Sequence, residues 1–299
     1  MTREPIVDTH VHFWNMRNPD PGLAWVWLDK DADHPVLGNI DPIKMLAYDI
    51  NSLWAEARFA DVRAFVHIQA AIGSDDPVKE TAWLTRMREN APAPFTIMAD
   101  AELASDDALR QLDGHGESPF FVGIRDFRTE PMLASGETIP KFEASLAVMA
   151  ERNLVFDLDC EWQNMASARD LAQRHPQLTV VLQHIGFPRS RDDQYFVNWE
   201  AGMRTLAEAP NVTCKISGLA MTDPRFTADS LRRWIDTPLE IFGADRCVLG
   251  SNWPVDRLYS SYDVIMDTYR DRLANLLSPD DQRKVLSENA ARIYRLQSS

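Results

Sequence analysis

The chain has 299 residues and carries 31 lysines and arginines against 45 aspartates and glutamates, a formal charge of −14. That balance argues against nucleic acid or an anionic membrane as a partner, since both demand a positive footprint. No stretch approaches the roughly 20 apolar residues of a membrane span, and no charged segment followed by an apolar core opens the chain, so a cytoplasmic protein is expected.

The first apolar run, IVDTHVHFW at 6–14, predicts a buried strand. Side chains at i and i+2 of a strand share a face, so His10 and His12 stand side by side. Two neutral imidazoles so placed suit a divalent metal or a polarised carbonyl oxygen, although two hydrogen-bonded structural histidines would give the same pattern.

The next stretch, 15–60, is rich in proline and tryptophan (PDPGLAWVWLD) and reads as an insertion after strand one, with a helix near 42–59. Seven more apolar runs follow: RAFVHIQA (63–70), FTIMADAEL (95–103), FFVGIRDFR (120–128), LVFDLDC (154–160), LTVVLQHIG (178–186), NVTCKISGL (211–219) and RCVLGSNWPV (246–255). Amphipathic segments lie between them, among them PVKETAWLTRMREN (77–90) and MASARDLAQRH (165–175). A last helix, capped near Ser278, closes the chain.

Strict alternation of strand and helix over eight units, with no composition break, predicts one α/β domain over 1–299, a distorted (β/α)8 TIM barrel. A doubly wound open sheet is disfavoured because no GxGxxG turn follows the first strand. Cys160, Cys214 and Cys247 sit in or beside strand-like runs and read as small core residues in a reducing compartment.

In such a barrel, chemistry gathers at the C-terminal ends of the strands. The polar residues at those ends are His10 and His12, His67 and Gln69, Arg125 and Asp126, Asp157 and Asp159, Gln183 and His184, Lys215 and Ser217, and Ser251 and Asn252. Burying so many unpaired groups at random is costly, which favours a common site. Gln69, Asp126 and Ser217 also read as supporting or loop-anchoring residues.

Five segments, DTHVHFW (8–14), GIRD (123–126), LQHIGFP (182–188), KISGL (215–219) and LGSNWPVD (249–256), resemble in this order the amidohydrolase superfamily. Within it they resemble the amidohydrolase-2 group, which includes sugar lactonases and 2-pyrone-4,6-dicarboxylate lactonase. The resemblance implies attack of water on an ester or amide carbonyl in a TIM barrel. His10 and His12 match the family's HxH, and His184 matches the histidine of its strand-six motif. The three are the candidate ligands of one divalent metal, zinc or manganese, in a site that the resemblance also allows to be metal-independent.

Asn252 stands where hydrolytic members usually carry aspartate. An amide cannot take the proton of the attacking water, so Asp256, Asp157, Asp159 or His184 itself is the substitute base. No strand-four lysine is present to bridge two metals, and Gln183 replaces a frequent aspartate.

The leading expectation is a hydrolase that opens a small, acidic lactone. His10, His12, His184, Asn252 and Asp256 are its catalytic candidates, and Arg125, His67, Lys215, Trp14, Trp27 and Asp157 its substrate contacts. Arg125 offers a planar fork for a substrate carboxylate, and the tryptophans offer an apolar wall. The alternatives are a decarboxylase of an aromatic or unsaturated acid and a non-catalytic binding descendant. A small-molecule substrate is the expected partner, and a homodimer is permitted.

Overall fold

A computed structural model describes residues 4–29, 31, 34 and 37–296. Eight parallel strands form one sheet in chain order: β1 (Ile6–Val11), β2 (Val62–Ile68), β3 (Phe95–Ala99), β4 (Phe121–Arg125), β5 (Val155–Leu158), β6 (Thr179–Leu182), β7 (Val212–Ile216) and β8 (Cys247–Leu249). The first and last strands meet through a parallel bridge between Val11 and Trp253, with His12 N–H donating to the Trp253 carbonyl at 2.9 Å. The result is a nearly closed barrel with helices between its strands, as the alternation predicts.

All eight predicted strands are present, but they end earlier than their apolar runs. The reason is local: the polar residues at the ends leave the ladder and their backbone groups find other partners. Gln69 N–H, for example, reaches the Met98 carbonyl at 2.8 Å.

The helices include α1 (Ile50–Ala57), α2 (Val78–Glu89), α3 (Ala108–Gly116), α4 (Thr129–Ser135), α5 (Pro140–Glu151), α6 (Met165–Arg174), α7 (Asp193–Ala207), α8 (Ala228–Phe242) and α9 (Tyr262–Leu276). The insertion after β1 is less helical than expected. It holds a short antiparallel pair, Trp14–Asn15 with Ala47–Tyr48, and helix α1 begins only at Ile50, where the Asp49 side chain accepts from Ser52 N–H. Part of this insertion lies outside the described residues.

The barrel interior is packed with Val7, Val66, Ile68, Met98, Val122, Val155, Val181 and Val248. One end is closed by the C-terminal segment, α10 (Pro279–Arg283), a π-turn at Lys284–Glu288, and α11 (Asn289–Ile293), whose Ser278 cap accepts from Asp281 N–H. Ile293 and Tyr294 join the interior cluster, and Arg295 donates to the carbonyls of Phe121 and Val122 at the start of β4. The plug therefore seals the N-terminal end of the strands and leaves the C-terminal end open. The three cysteines are buried and unpaired, and no helix among the described residues is long and apolar enough to cross a membrane.

Candidate active site

A cavity of about 300 Å³ opens at the C-terminal ends of the strands, at the small end of the range for ligand pockets. His12, Trp27, Gln69, Arg125, Asp159, His184 and Asn252 are among the residues that line it. Ile72 and Phe127, both partly exposed, contribute apolar surface.

The two histidines of the first motif converge. His12 Nδ1 lies 2.9 Å from the Ile68 carbonyl, which can only accept, so Nδ1 carries the proton. His10 Nδ1 lies 3.0 Å from Gln183 Oε1, and the orientation of that amide is set by its Nε2 donating to the Val181 carbonyl at 3.2 Å. Both Nε2 atoms therefore present lone pairs, and they face each other at 3.2 Å.

Two lone pairs at that distance repel unless a cation or proton stands between them. Zinc–nitrogen bonds of roughly 2.0–2.1 Å in a tetrahedral site set two ligand nitrogens roughly 3.3–3.4 Å apart, so the pair fits one divalent cation. The acceptors on both Nδ1 atoms supply the outer support that histidine ligands need. His184 stands beside them, its ring centroid 4.3 Å from that of His10. Among the described residues, no three His, Cys, Asp or Glu side chains gather closely enough to enclose a metal by themselves.

Burial holds His10 and His184 well below the usual imidazole range and His12 at about 3, with neighbouring positive groups acting in the same direction. All three are neutral near pH 7, as ligands or proton acceptors must be.

Two site residues sit on backbone that side chains rarely adopt. His184 has φ +49° and is followed by Ile185 at +50°, while Asn252 has φ +59°. Such conformations cost on the order of 1–3 kcal/mol each and cluster at functional sites. Asparagine tolerates this region better than most residues, but a β-branched isoleucine does not. The turn is pinned instead by Trp199 of α7, whose indole donates to the Ile185 carbonyl at 2.7 Å. His184 Nδ1 is 2.9 Å from Ser217 Oγ. Gly218 beside it has φ +62°, and a Cβ there would lie 2.5 Å from that same Nδ1, so the glycine of KISGL makes room for the imidazole.

Arg125 offers only part of its guanidinium. It is held bidentate by Asp159, with Nε 3.1 Å from Oδ2 and Nη2 3.1 Å from Oδ1. Farther along the wall, Arg189 pairs with Glu161 at 2.7 Å. Both guanidinium groups lining the cavity thus have a carboxylate partner, while the Nη1 side of Arg125 is left for a ligand.

Four expected substrate contacts do not line the cavity. Lys215 and Asp157 point into the barrel one layer below its floor, where they form a fully buried pair at 3.1 Å against Tyr294. Burial works against both charges, raising Asp157 and lowering Lys215 to about 8, while their mutual attraction opposes it. His67 lies between the inward-facing Val66 and Ile68, so alternation turns it to the outer face of β2, against Phe13 and 3.9 Å from Glu80. Trp14 is buried beneath Trp27, with ring centroids 5.7 Å apart, and donates to the Met45 carbonyl; only Trp27 reaches the cavity.

Asp256 does not line the cavity either. Its Oδ1 accepts from Asn252 Nδ2 at 2.8 Å, so it positions the asparagine. Burial pushes its carboxyl up to about 7. The native state therefore binds this proton more tightly than the unfolded chain, where an aspartate titrates near 4. The stability it contributes is full below about pH 4 and is lost as pH rises through about 7. We expect Asp256→Asn to reduce the loss of unfolding free energy between pH 5 and pH 8 by about 2 kcal/mol, read from denaturant midpoints.

Sequence reading passed over several supports. Asp8, beside the two histidines in the first motif, accepts from Ser251 N–H at 2.8 Å, Ser251 Oγ at 2.6 Å and Tyr262 Oη at 2.8 Å, clamping β1 to the end of β8. Asp126, which the sequence did suggest as a loop anchor, accepts from Leu103 and Arg128 N–H groups, and Gln69, read as a possible support, is among the residues lining the cavity. Glu80 of α2 accepts from the N–H groups of Ala70 and Ala71. None of these carries a spacing signature.

Residues 7–296 match the family model described as amidohydrolase. The chain belongs to the amidohydrolase family. This amidohydrolase is 30% identical to an uncharacterised protein of Sinorhizobium fredii, the match covering 97% of this chain and 98% of the other. It is 27% identical to an L-fucono-1,5-lactonase of Burkholderia ambifaria, over 97% of this chain and 95% of that one. Its fold matches a crystal structure of an amidohydrolase from Burkholderia multivorans with bound zinc, with a TM-score of 0.83 and 24% identity over 98% of this chain and 100% of that one.

Proposed function

We propose that this amidohydrolase opens a neutral, polyhydroxylated lactone by attack of water on its carbonyl. The observation that carries this reading is the cavity itself: neutral histidines at the floor and a wall whose charges are already paired, so that donors and acceptors are offered together. Such a wall suits hydroxyl groups, and the similarity to an L-fucono-1,5-lactonase agrees with it. Against a carboxylate it sets Asp159, Glu130 and Glu161. The decarboxylase alternative would set its substrate carboxylate beside Asp159, which holds the Nε–Nη2 side of Arg125.

In this reading His12 faces the lactone carbonyl oxygen, with His10 buried behind it outside the cavity lining, and His184 holds the attacking water. The Ser217 hydroxyl fixes the His184 ring through Nδ1, leaving Nε2 to take the proton of the water and return it to the ring oxygen as the carbon–oxygen bond breaks. The product is a hydroxy acid. Asn252, oriented by Asp256, donates or accepts a hydrogen bond without moving a proton. One divalent metal, zinc or manganese, would be held by the facing Nε2 atoms of His10 and His12, leaving His184 as the base, and when bound it would supply Lewis-acid polarisation of the carbonyl. The buried free cysteines support a cytoplasmic setting, and the exposed Val264 and Leu276 on α9 permit a homodimer without demanding one.

Acid release followed with a pH indicator, over aldonolactones, muconolactones and pyrone dicarboxylates, tests this. Saturable hydrolysis is expected for the aldonolactones, at least tenfold faster in kcat/KM than for any charged lactone. No acid from any of them, before or after incubation with zinc or manganese, would overturn the lactonase reading.

A further inference from the structure

We infer that Gln69 reads a hydroxyl group of the substrate, and so decides which lactones the site accepts. This rests on the lactonase reading above. The Gln69 side chain is 1% exposed and lines the cavity, yet neither its Oε1 nor its Nε2 meets a protein hydrogen-bond partner among the described residues. Buried polar atoms are paired in the great majority of cases, and both ends of one amide left open is a rarer event still.

The backbone around it is fully engaged. Gln69 N–H donates to Met98, and the Ile68 carbonyl before it accepts from His12 Nδ1. The Ala70 N–H after it donates to Glu80, and the Ala70 carbonyl accepts from the Trp27 indole. The chain is thus held on both sides by the catalytic histidine, a buried carboxylate and a wall of the cavity. The amide is left with unused capacity beside the cavity that the residue lines, as are both ring nitrogens of His67 two residues earlier.

An amide both donates and accepts within one small plane. A carboxylate can satisfy the Nε2–H but leaves Oε1 facing another acceptor. A hydroxyl, alone or with a neighbouring hydroxyl, satisfies both. The chemistry recognised at this wall is therefore a hydroxylated ring carbon, and a site built to bond a substrate hydroxyl discriminates strongly against the analogue that lacks it.

The test compares wild type with Gln69→Met, which keeps the shape and removes both polar atoms, and Gln69→Glu, which keeps the acceptor and removes the donor. Each is assayed on an aldonolactone and on an unsubstituted lactone of the same ring size. For Gln69→Met we expect kcat/KM to fall about 100-fold on the hydroxylated lactone and less than threefold on the unsubstituted one. Gln69→Glu should lose at least tenfold on the hydroxylated lactone, with an unchanged melting temperature. An equal fall on both lactones, or no fall on either, would overturn the assignment while leaving the lactonase reading intact. A wild type that turns over neither lactone would overturn both.

Discussion

His184→Asn is expected to lower kcat for lactone opening about 10³-fold while leaving the protein folded. General acid–base catalysis contributes roughly 10²- to 10⁴-fold, and His184 is the cavity-lining imidazole whose second nitrogen is fixed by a hydroxyl. Asparagine suits the left-handed backbone at this position and can still bond Ser217, so the variant removes the proton acceptor with little change in strain. A merely structural role for His184 predicts the reverse pattern, a lowered melting temperature with kcat of the folded fraction near wild type. Because burial holds all three site histidines well below the usual range, the wild-type profile should show no histidine inflection between about pH 6 and 7.

The largest effect on stability is expected at the barrel floor. Lys215→Met leaves Asp157 buried with no cation at 3.1 Å, in a place where neither side chain is exposed. Removing one member of a buried ion pair costs about 3–5 kcal/mol, whereas replacing both by well-packed apolar residues is often neutral. Chemical denaturation should therefore find the single variant far less stable, and Lys215→Met combined with Asp157→Leu should recover most of the loss. Equal stability of Lys215→Met and wild type would show that Tyr294, whose hydroxyl lies 3.4 Å from Asp157, supports the carboxyl on its own.

The barrel was readable in the chain because a parallel strand buried on both faces must be a short apolar run, and a crossover helix must be amphipathic. The same logic located the strand ends, and with them His12, Arg125, His184 and Asn252 around one cavity. It failed where the answer depended on depth or on parity. Lys215 and Asp157 lie at strand ends as expected, but one layer lower than the cavity. His67 occupies the alternate position between two interior residues and so faces outwards.

What the sequence by itself determined is the strand order, the family motifs and the set of polar residues sent to one end of the barrel, since periodicity and residue type are local properties. Only the tertiary structure decided how those groups pair, because hydrogen bonds and ion pairs join residues far apart in the chain. Closure placed Asp159 on Arg125 and Asp157 on Lys215. In doing so it set a carboxylate beside the expected Arg125 clamp and left Gln69, a residue lining the cavity, with an amide unsatisfied.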